Sequence, residues 1–87
     1  MQKSAEIQWS IRAVRQLRKL ERPDQERIRE AVSSLAHMPA VANVRRLAAH
    51  HDQFRMRIRN FRVIFRFDGA ARVIYIEEVL KRDEHTY

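Results

Sequence analysis

From Phe54 to Phe67 the chain steps between an apolar residue and, at most of the intervening positions, an arginine. Phe54, Met56 and Ile58 alternate with Arg55, Arg57 and Arg59, and Phe61, Val63, Phe65 and Phe67 alternate with Arg62, Ile64 and Arg66. A period of two marks strands with one buried and one wet face, because successive side chains point to opposite sides of a pleated sheet. If Arg59-Asn60 is a two-residue turn, Ile58 faces Phe61, Met56 faces Val63 and Arg57 faces Arg62. Core positions then meet core positions, which selects that register over a one-residue slip. Asp68-Gly69 is a second hairpin signal, and Arg72 to Leu80 is a β-branched run, apolar on both faces, that reads as a buried strand. Gln53 to Leu80 is thus expected to be a three-stranded antiparallel meander.

The first half has other periods. Ala5, Ile7 and Trp9 alternate with Glu6 and Gln8, which predicts a short strand, and Trp9 is most simply a core residue. Ser10 suits an N-cap, and Ile11, Val14, Leu17 and Leu20 follow at helical spacing with Arg12, Arg15, Arg18 and Lys19 on the wet side. Pro23 fits the first turn of a second helix, where Asp24 and Glu26 complement the dipole. Ile28, Ala31, Val32 and Leu35 form its apolar stripe, and it should stop near His37, ahead of Pro39. The expected fold class is α+β: a short N-terminal strand, a two-helix hairpin and the meander, with the helices covering the apolar face.

Eighty-seven residues hold one hydrophobic core, so residues 1–87 read as a single domain. The absence of cysteine excludes a disulfide scaffold, a thiolate metal site and a cysteine nucleophile. His37, His50 and His51 show no metal-ligand spacing, and no Gly-rich phosphate loop or Ser-His-Asp arrangement is visible, so neither metal nor cofactor is expected. No apolar run approaches the ~18 residues that span a bilayer. The opening Met1 to Glu6 lacks the pattern of a signal peptide, so a cytoplasmic protein without a membrane partner is expected.

Charge narrows the function. The formal net charge is +7, and of the 18 cationic residues only Lys3, Lys19 and Lys81 are lysine. Arginine suits forked contact with phosphate and stacking on bases. Arg45, Arg46, Arg55, Arg57, Arg59, Arg62 and Arg66 face a single acid, Asp52, within the same stretch. Such a cluster reads as a footprint for a polyanion, nucleic acid or an acidic protein; the alternative is a solvated face. The hairpin register sets Arg57 against Arg62 with Arg55 and Arg66 on the same face. Opposed like charges cost about 0.2–1 kcal/mol, which folding alone would not select. Glu77 and Glu78 on the next strand are the candidate internal neutralisers, too few for five arginines (55, 57, 59, 62 and 66).

The last residues, Lys81 to Tyr87, add proton-transfer groups if they curl over the arginine face; otherwise they are a frayed end. His85 accepts a proton near neutral pH, and Tyr87 does so where cations lower its pKa. Cations around a phosphate beside such a base suit RNA cleavage, in which a 2′-hydroxyl is activated and the crowded phosphate is stabilised.

The segment Phe54-Arg55-Met56-Arg57-Ile58-Arg59-Asn60-Phe61-Arg62-Val63-Ile64-Phe65 resembles the signature of the RelE/ParE toxins of type II toxin–antitoxin systems. Arg59 stands where Gly is usual in that family and Asn60 where Asp is usual. Trp9-Ser10, Ala13, Arg15, Leu17, Leu20 and Val44-Arg45-Arg46-Leu47 extend the resemblance over nearly the whole chain. It implies the RelE-like small ribonuclease fold. RelE-like members cleave mRNA on the ribosome without a metal, whereas ParE-like members poison DNA gyrase. The resemblance is to the RelE side: Arg55 and Arg57 match the two basic positions of the second strand, Arg62 the Arg of the family's Tyr-Arg-Val motif, Lys81-Arg82 the basic pair after the last strand, and Tyr87 the terminal Tyr. Together with the charge pattern it gives a candidate catalytic set of Arg57, Arg62, Arg82 and Tyr87, with His85 as a competing base, and RNA held by Arg45, Arg46, Arg55, Arg59, Arg66 and Lys81. It also implies a cognate acidic antitoxin, the ribosome and mRNA as partners, and operator DNA reached only through the antitoxin complex. The alternatives are a gyrase inhibitor without nuclease activity and a non-enzymatic basic binding module.

Overall fold

The computed structural model describes residues 4–38, 41, 43–47 and 53–81. Strand β1 (Glu6–Trp9) leads into helices α1 (Ile11–Arg18) and α2 (Arg22–Ser33), and a 3-10 turn (Ser34–His37) extends α2. Strands β2 (Val44–Arg46), β3 (Gln53–Ile58), β4 (Phe61–Asp68) and β5 (Val73–Lys81) follow. One sheet of order β1-β5-β4-β3-β2 results, antiparallel except for β1 beside β5. The expected α+β class and the three-stranded meander are present. The sheet is wider than expected, however: β1 joins it, and Val44–Arg46 adds a fifth strand on the far edge. Three residues complete barely one apolar–polar cycle, so periodicity alone leaves β2 invisible.

The core lies between the helices and one sheet face. Phe65, Ile28, Leu35, Ile74, Ile76, Val32 and Val63 are the largest of its fully buried members. Phe54 and Phe65, opposite each other on β3 and β4, stack with ring centroids 5.5 Å apart, which contributes about 0.5–1.5 kcal/mol beyond burial. On α1 the buried positions are Ala13 and Leu17, while Ile11, expected in that stripe, is 72% exposed. The helix therefore turns the Ala13–Leu17 row to the sheet, and its first residue projects past the packed layer. Helix α2 ends earlier than the expected His37. Ser33 and Ser34 donate their hydroxyls to the carbonyls of Glu30 and Ala31, both at 2.6 Å. Such back-bonding competes with the helical ladder and the chain tightens into a 3-10 turn.

Three local devices position the open face. Ser10 caps α1 by accepting from the Ala13 N–H at 3.0 Å, and its hydroxyl donates to the Glu77 carbonyl at 2.8 Å. Past the end of β1, the Gln16 side-chain oxygen accepts the Val79 N–H at 2.6 Å, so α1 continues the satisfaction of the outer edge of β5. Between Ile64 and Phe65 the β4–β5 register shifts: Ile64 faces Glu78 but Phe65 faces Ile76, which makes Glu77 an extra, bulged residue.

The first hairpin has the expected register, with Ile58 opposite Phe61, Met56 opposite Val63 and Arg57 opposite Arg62. Arg59 occupies its turn at φ 50, a left-handed conformation that costs a side-chain-bearing residue about 1–2 kcal/mol. The second hairpin differs from the Asp68-Gly69 reading. Its loop runs Gly69 to Arg72, the Asp68 carboxylate accepts the Ala71 N–H at 2.9 Å, and the left-handed residue is Arg72 at φ 57 rather than the glycine. Arg72 is held there by its guanidinium over the Phe67 ring and a 3.2 Å bond to the Met38 carbonyl. Among the described residues no helix is long and apolar enough to cross a membrane.

Two stability outcomes follow from these devices. Arg59→Gly should raise stability by about 0.5–1 kcal/mol, some 2–8 °C in melting temperature, because glycine takes φ > 0 without strain; Arg59→Ala, which keeps the strain, should not. Gln16→Leu should cost about 1–3 kcal/mol despite its added apolar surface, because it strands the Val79 N–H. Thermal melts of the three variants check both.

Candidate nucleic-acid interface

The pleat sends alternate side chains of β3 and β4 away from the helices, onto an open face. There Arg57 stands directly opposite Arg62, and one strand over Arg45 of β2 stands opposite Arg55 of β3. Two like-charged pairs thus sit side by side. Asn43, Val44, Arg45, Arg55 and Arg57 line a hollow of about 390 Å3 between β2 and β3. Asn43 lies at the rim at φ 63, a conformation asparagine tolerates, and its carbonyl accepts the Arg57 N–H at 3.1 Å.

Internal carboxylates neutralise only one end of this row. Glu77, swung onto the open face by the bulge, holds Arg66 (Nε to Oε2, 3.0 Å) and accepts from the Gln53 amide at 2.7 Å. Glu78 turns to Arg12 of α1 at 3.6 Å. Among the described residues no carboxylate lies within ion-pair distance of Arg45, Arg55, Arg57, Arg59 or Arg62. Arg62 is half-buried, and its Nε is shielded from solvent without a hydrogen-bond partner among the described residues. An unmatched buried donor of this kind costs about 1–3 kcal/mol. A tetrahedral oxyanion between Arg57 and Arg62 would supply the missing acceptor and convert their repulsion into attraction.

The other sequence-derived positions divide. Arg59 is exposed at the hairpin tip. Arg66 is on the open face but engaged by Glu77. Arg46 leaves the cationic row: it pairs with Phe54 and lays its guanidinium over that ring, 5.4 Å from the centroid, on the helix side. Adjacent residues of a strand point to opposite faces, so Arg45 and Arg46 could not both face one ligand once they form β2. Lys81, opposite Phe61, likewise ends β5 on the helix side. Arg82, His85 and Tyr87 lie outside the described residues. Gln53 and Asn43 were not singled out from sequence; their roles come from the partner strand and from a backbone angle, neither of which has a local signal. Among the described residues no cluster of His, Asp or Glu could hold a metal ion.

Comparison with known proteins places this arrangement. The chain matches, over residues 7–86, the family model of the ParE toxin of the type II toxin–antitoxin system parDE. No curated protein sequence matches it. Its fold resembles the isolated Escherichia coli RelE toxin (TM-score 0.82, 16% identity, 95% of this chain and 89% of that one). It also resembles the toxin of the archaeal RelE–RelB complex of Pyrococcus horikoshii (0.81, 22%, 93% and 98%). A third match is a chain of the RelBE2 toxin–antitoxin complex of Mycobacterium tuberculosis (0.78, 22%, 91% and 99%). The order of one strand, two helices and a mainly antiparallel sheet is thus a shared fold, and the chain belongs to the ParE toxin family of type II toxin–antitoxin systems, within the RelE/ParE superfamily.

Proposed function

We propose that this toxin is a metal-independent endoribonuclease that cuts mRNA on the ribosome and so arrests translation in the cytoplasm. The observation that carries the reading is the opposed Arg57–Arg62 pair, with a shielded, unpartnered Arg62 Nε and no neutralising carboxylate among the described residues. In this mechanism the RNA's own 2′-oxygen attacks the adjacent phosphorus. The O2′–P bond forms as the P–O5′ bond breaks, and the departing O5′ takes a proton from water, leaving a 2′,3′-cyclic phosphate and a 5′-hydroxyl. Arg57 and Arg62 hold the extra negative charge of the crowded phosphate, where forked donors contribute most. Arg55, Arg45 and Arg59 extend the cationic track for the neighbouring backbone. Tyr87, which lies outside the described residues, is assigned the 2′-hydroxyl proton on the family resemblance, with His85 as the supporting group.

The RelE structures in complex with RelB antitoxins support a cognate antitoxin here too. An acidic segment would cover the unpaired arginines and be drawn to them rapidly by the +7 charge. Operator DNA is then reached through the antitoxin's own DNA-binding part. The match to the ParE toxin model favours a second reading, inhibition of DNA gyrase without nuclease activity.

Primer-extension mapping of mRNA after induction separates the two. Cuts inside translated codons support the nuclease; intact mRNA with accumulating DNA breaks supports gyrase poisoning and overturns it. Arg57→Ala or Arg62→Ala should lower cleavage about 100- to 1,000-fold with an unchanged or slightly higher melting temperature, because an opposed like charge is removed. A large drop in melting temperature would mean that the pair is structural. In single-turnover cleavage of ribosome-bound mRNA from pH 6 to 9, a Tyr87 base gives a rate still rising past pH 7, whereas a His85 base gives a plateau. Tyr87→Phe should lose at least about 100-fold, equivalent to about 2.7 kcal/mol, and full activity of that variant would shift the role to His85.

A further inference from the structure

Beyond Arg66 the open face ends in a second hollow, about 620 Å3, walled by Gln8, Ser10, Arg66, Asp68, Tyr75 and Glu77. Strand register builds it: Tyr75 of β5 stands between Gln8 of β1 and Arg66 of β4, so three side chains align across three strands. Tyr75 is 42% exposed although both its chain neighbours in the strand pattern, Ile74 and Ile76, are fully buried. Arg66 is kept beside it by the 3.0 Å contact with Glu77, whose other oxygen is tied to Gln53. A flat ring and a braced planar guanidinium therefore border one open space.

The charge here differs from the rest of the face. Among the described residues no carboxylate pairs with Arg57 or Arg62, whereas in this hollow Asp68 and Glu77 offset Arg66. A phosphate gains little at such a place. A neutral, flat heterocycle gains stacking on both planar groups, and its edge N–H donors meet the carboxylates. Arg62 and Arg66 are four positions apart on β4, about 13 Å at ~3.3 Å per residue. Two to four nucleotides bridge that gap, given a ~3.4 Å rise in a stacked strand and more when it is stretched.

We propose that this hollow receives an unpaired base flanking the cleaved phosphate, stacked on Tyr75 beside Arg66, with amino-bearing bases favoured over uracil by Glu77 and Asp68. The inference rests on the nuclease reading above and adds to it a determinant of sequence preference. The arginine pair binds any RNA backbone alike; the Tyr75 hollow distinguishes bases.

The test is cleavage of ribosome-bound mRNAs carrying each of the four bases at positions two to four nucleotides from the cut, by wild type, Tyr75→Leu, Tyr75→Phe and Glu77→Gln. Wild type should prefer an amino-bearing base at one of these positions. Tyr75→Leu should lose about 5- to 100-fold on that message and on the uracil message alike, because stacking serves every base. Tyr75→Phe should retain both rate and preference, and Glu77→Gln should reduce discrimination against uracil. Wild type that cleaves while Tyr75→Leu and Glu77→Gln keep its rate and base preference overturns the hollow's role alone. Wild type that leaves every message intact overturns the nuclease reading and this inference with it.

Discussion

Pairing Ile58 with Phe61 across the Arg59-Asn60 turn aligns everything that follows on β3 and β4. With that register Phe54 meets Phe65, Met56 meets Val63, and both strands send these side chains toward the helices. A slip of one residue would put arginines in the core and phenylalanines in water, so hydrophobic burial enforces the register strongly. The same constraint leaves Arg57 and Arg62 no choice but to oppose each other. Their repulsion is small beside the burial of Phe54, Phe61, Val63 and Phe65, each contributing about 1.5–3 kcal/mol. The cationic face is therefore held in place by the core behind it.

The bulge at Glu77 gives the open face its second character. Without the extra residue β5 would alternate regularly along β4; with it, a carboxylate reaches Arg66 and Gln53 while Glu78 is directed to α1. Charge is thereby sorted along a single strand pair. The hairpin end stays cationic, and the end near β1 becomes a mixed, partly apolar hollow. Phosphate and base recognition call for these two environments respectively, and one irregularity in the ladder separates them. Helix α1 supports the arrangement from the side, since Ser10 and Gln16 bind the outer edge of β5 at and beyond the bulge.

Much of this was legible in the sequence because it is local. Period-two alternation over 54–67 gives the hairpin, and the opposition of Arg57 and Arg62 follows by counting outward from the turn. Ser10 and Pro23 announce their helices through hydrogen-bonding and backbone preferences of single residues. The misreadings have physical causes of their own. Arg45 and Arg46 look like two equal cations until β2 forms and its pleat turns one of them over Phe54. Asp68-Gly69 reads as the turn, yet the loop runs on to Arg72, which takes the left-handed angle with its side chain held by Phe67 and the Met38 carbonyl. Ile11 fits the apolar stripe by spacing, but the helix packs by its Ala13–Leu17 row.

The sequence by itself determined the two helices, the three-stranded meander, the register of its first hairpin, the basic open face and the superfamily whose signature it carries. Each of these depends on the spacing of neighbouring side chains, which folding preserves. Tertiary structure alone decided which cations remain without an acidic partner, that β1 and β2 close the two edges of the sheet, and that Tyr75, Arg66 and Gln8 share one hollow. Those facts join residues up to 67 positions apart, as Ser10 and Glu77 are. The distances that set charge pairing and shape arise only when separate strands are brought to the ~4.8 Å spacing of a sheet.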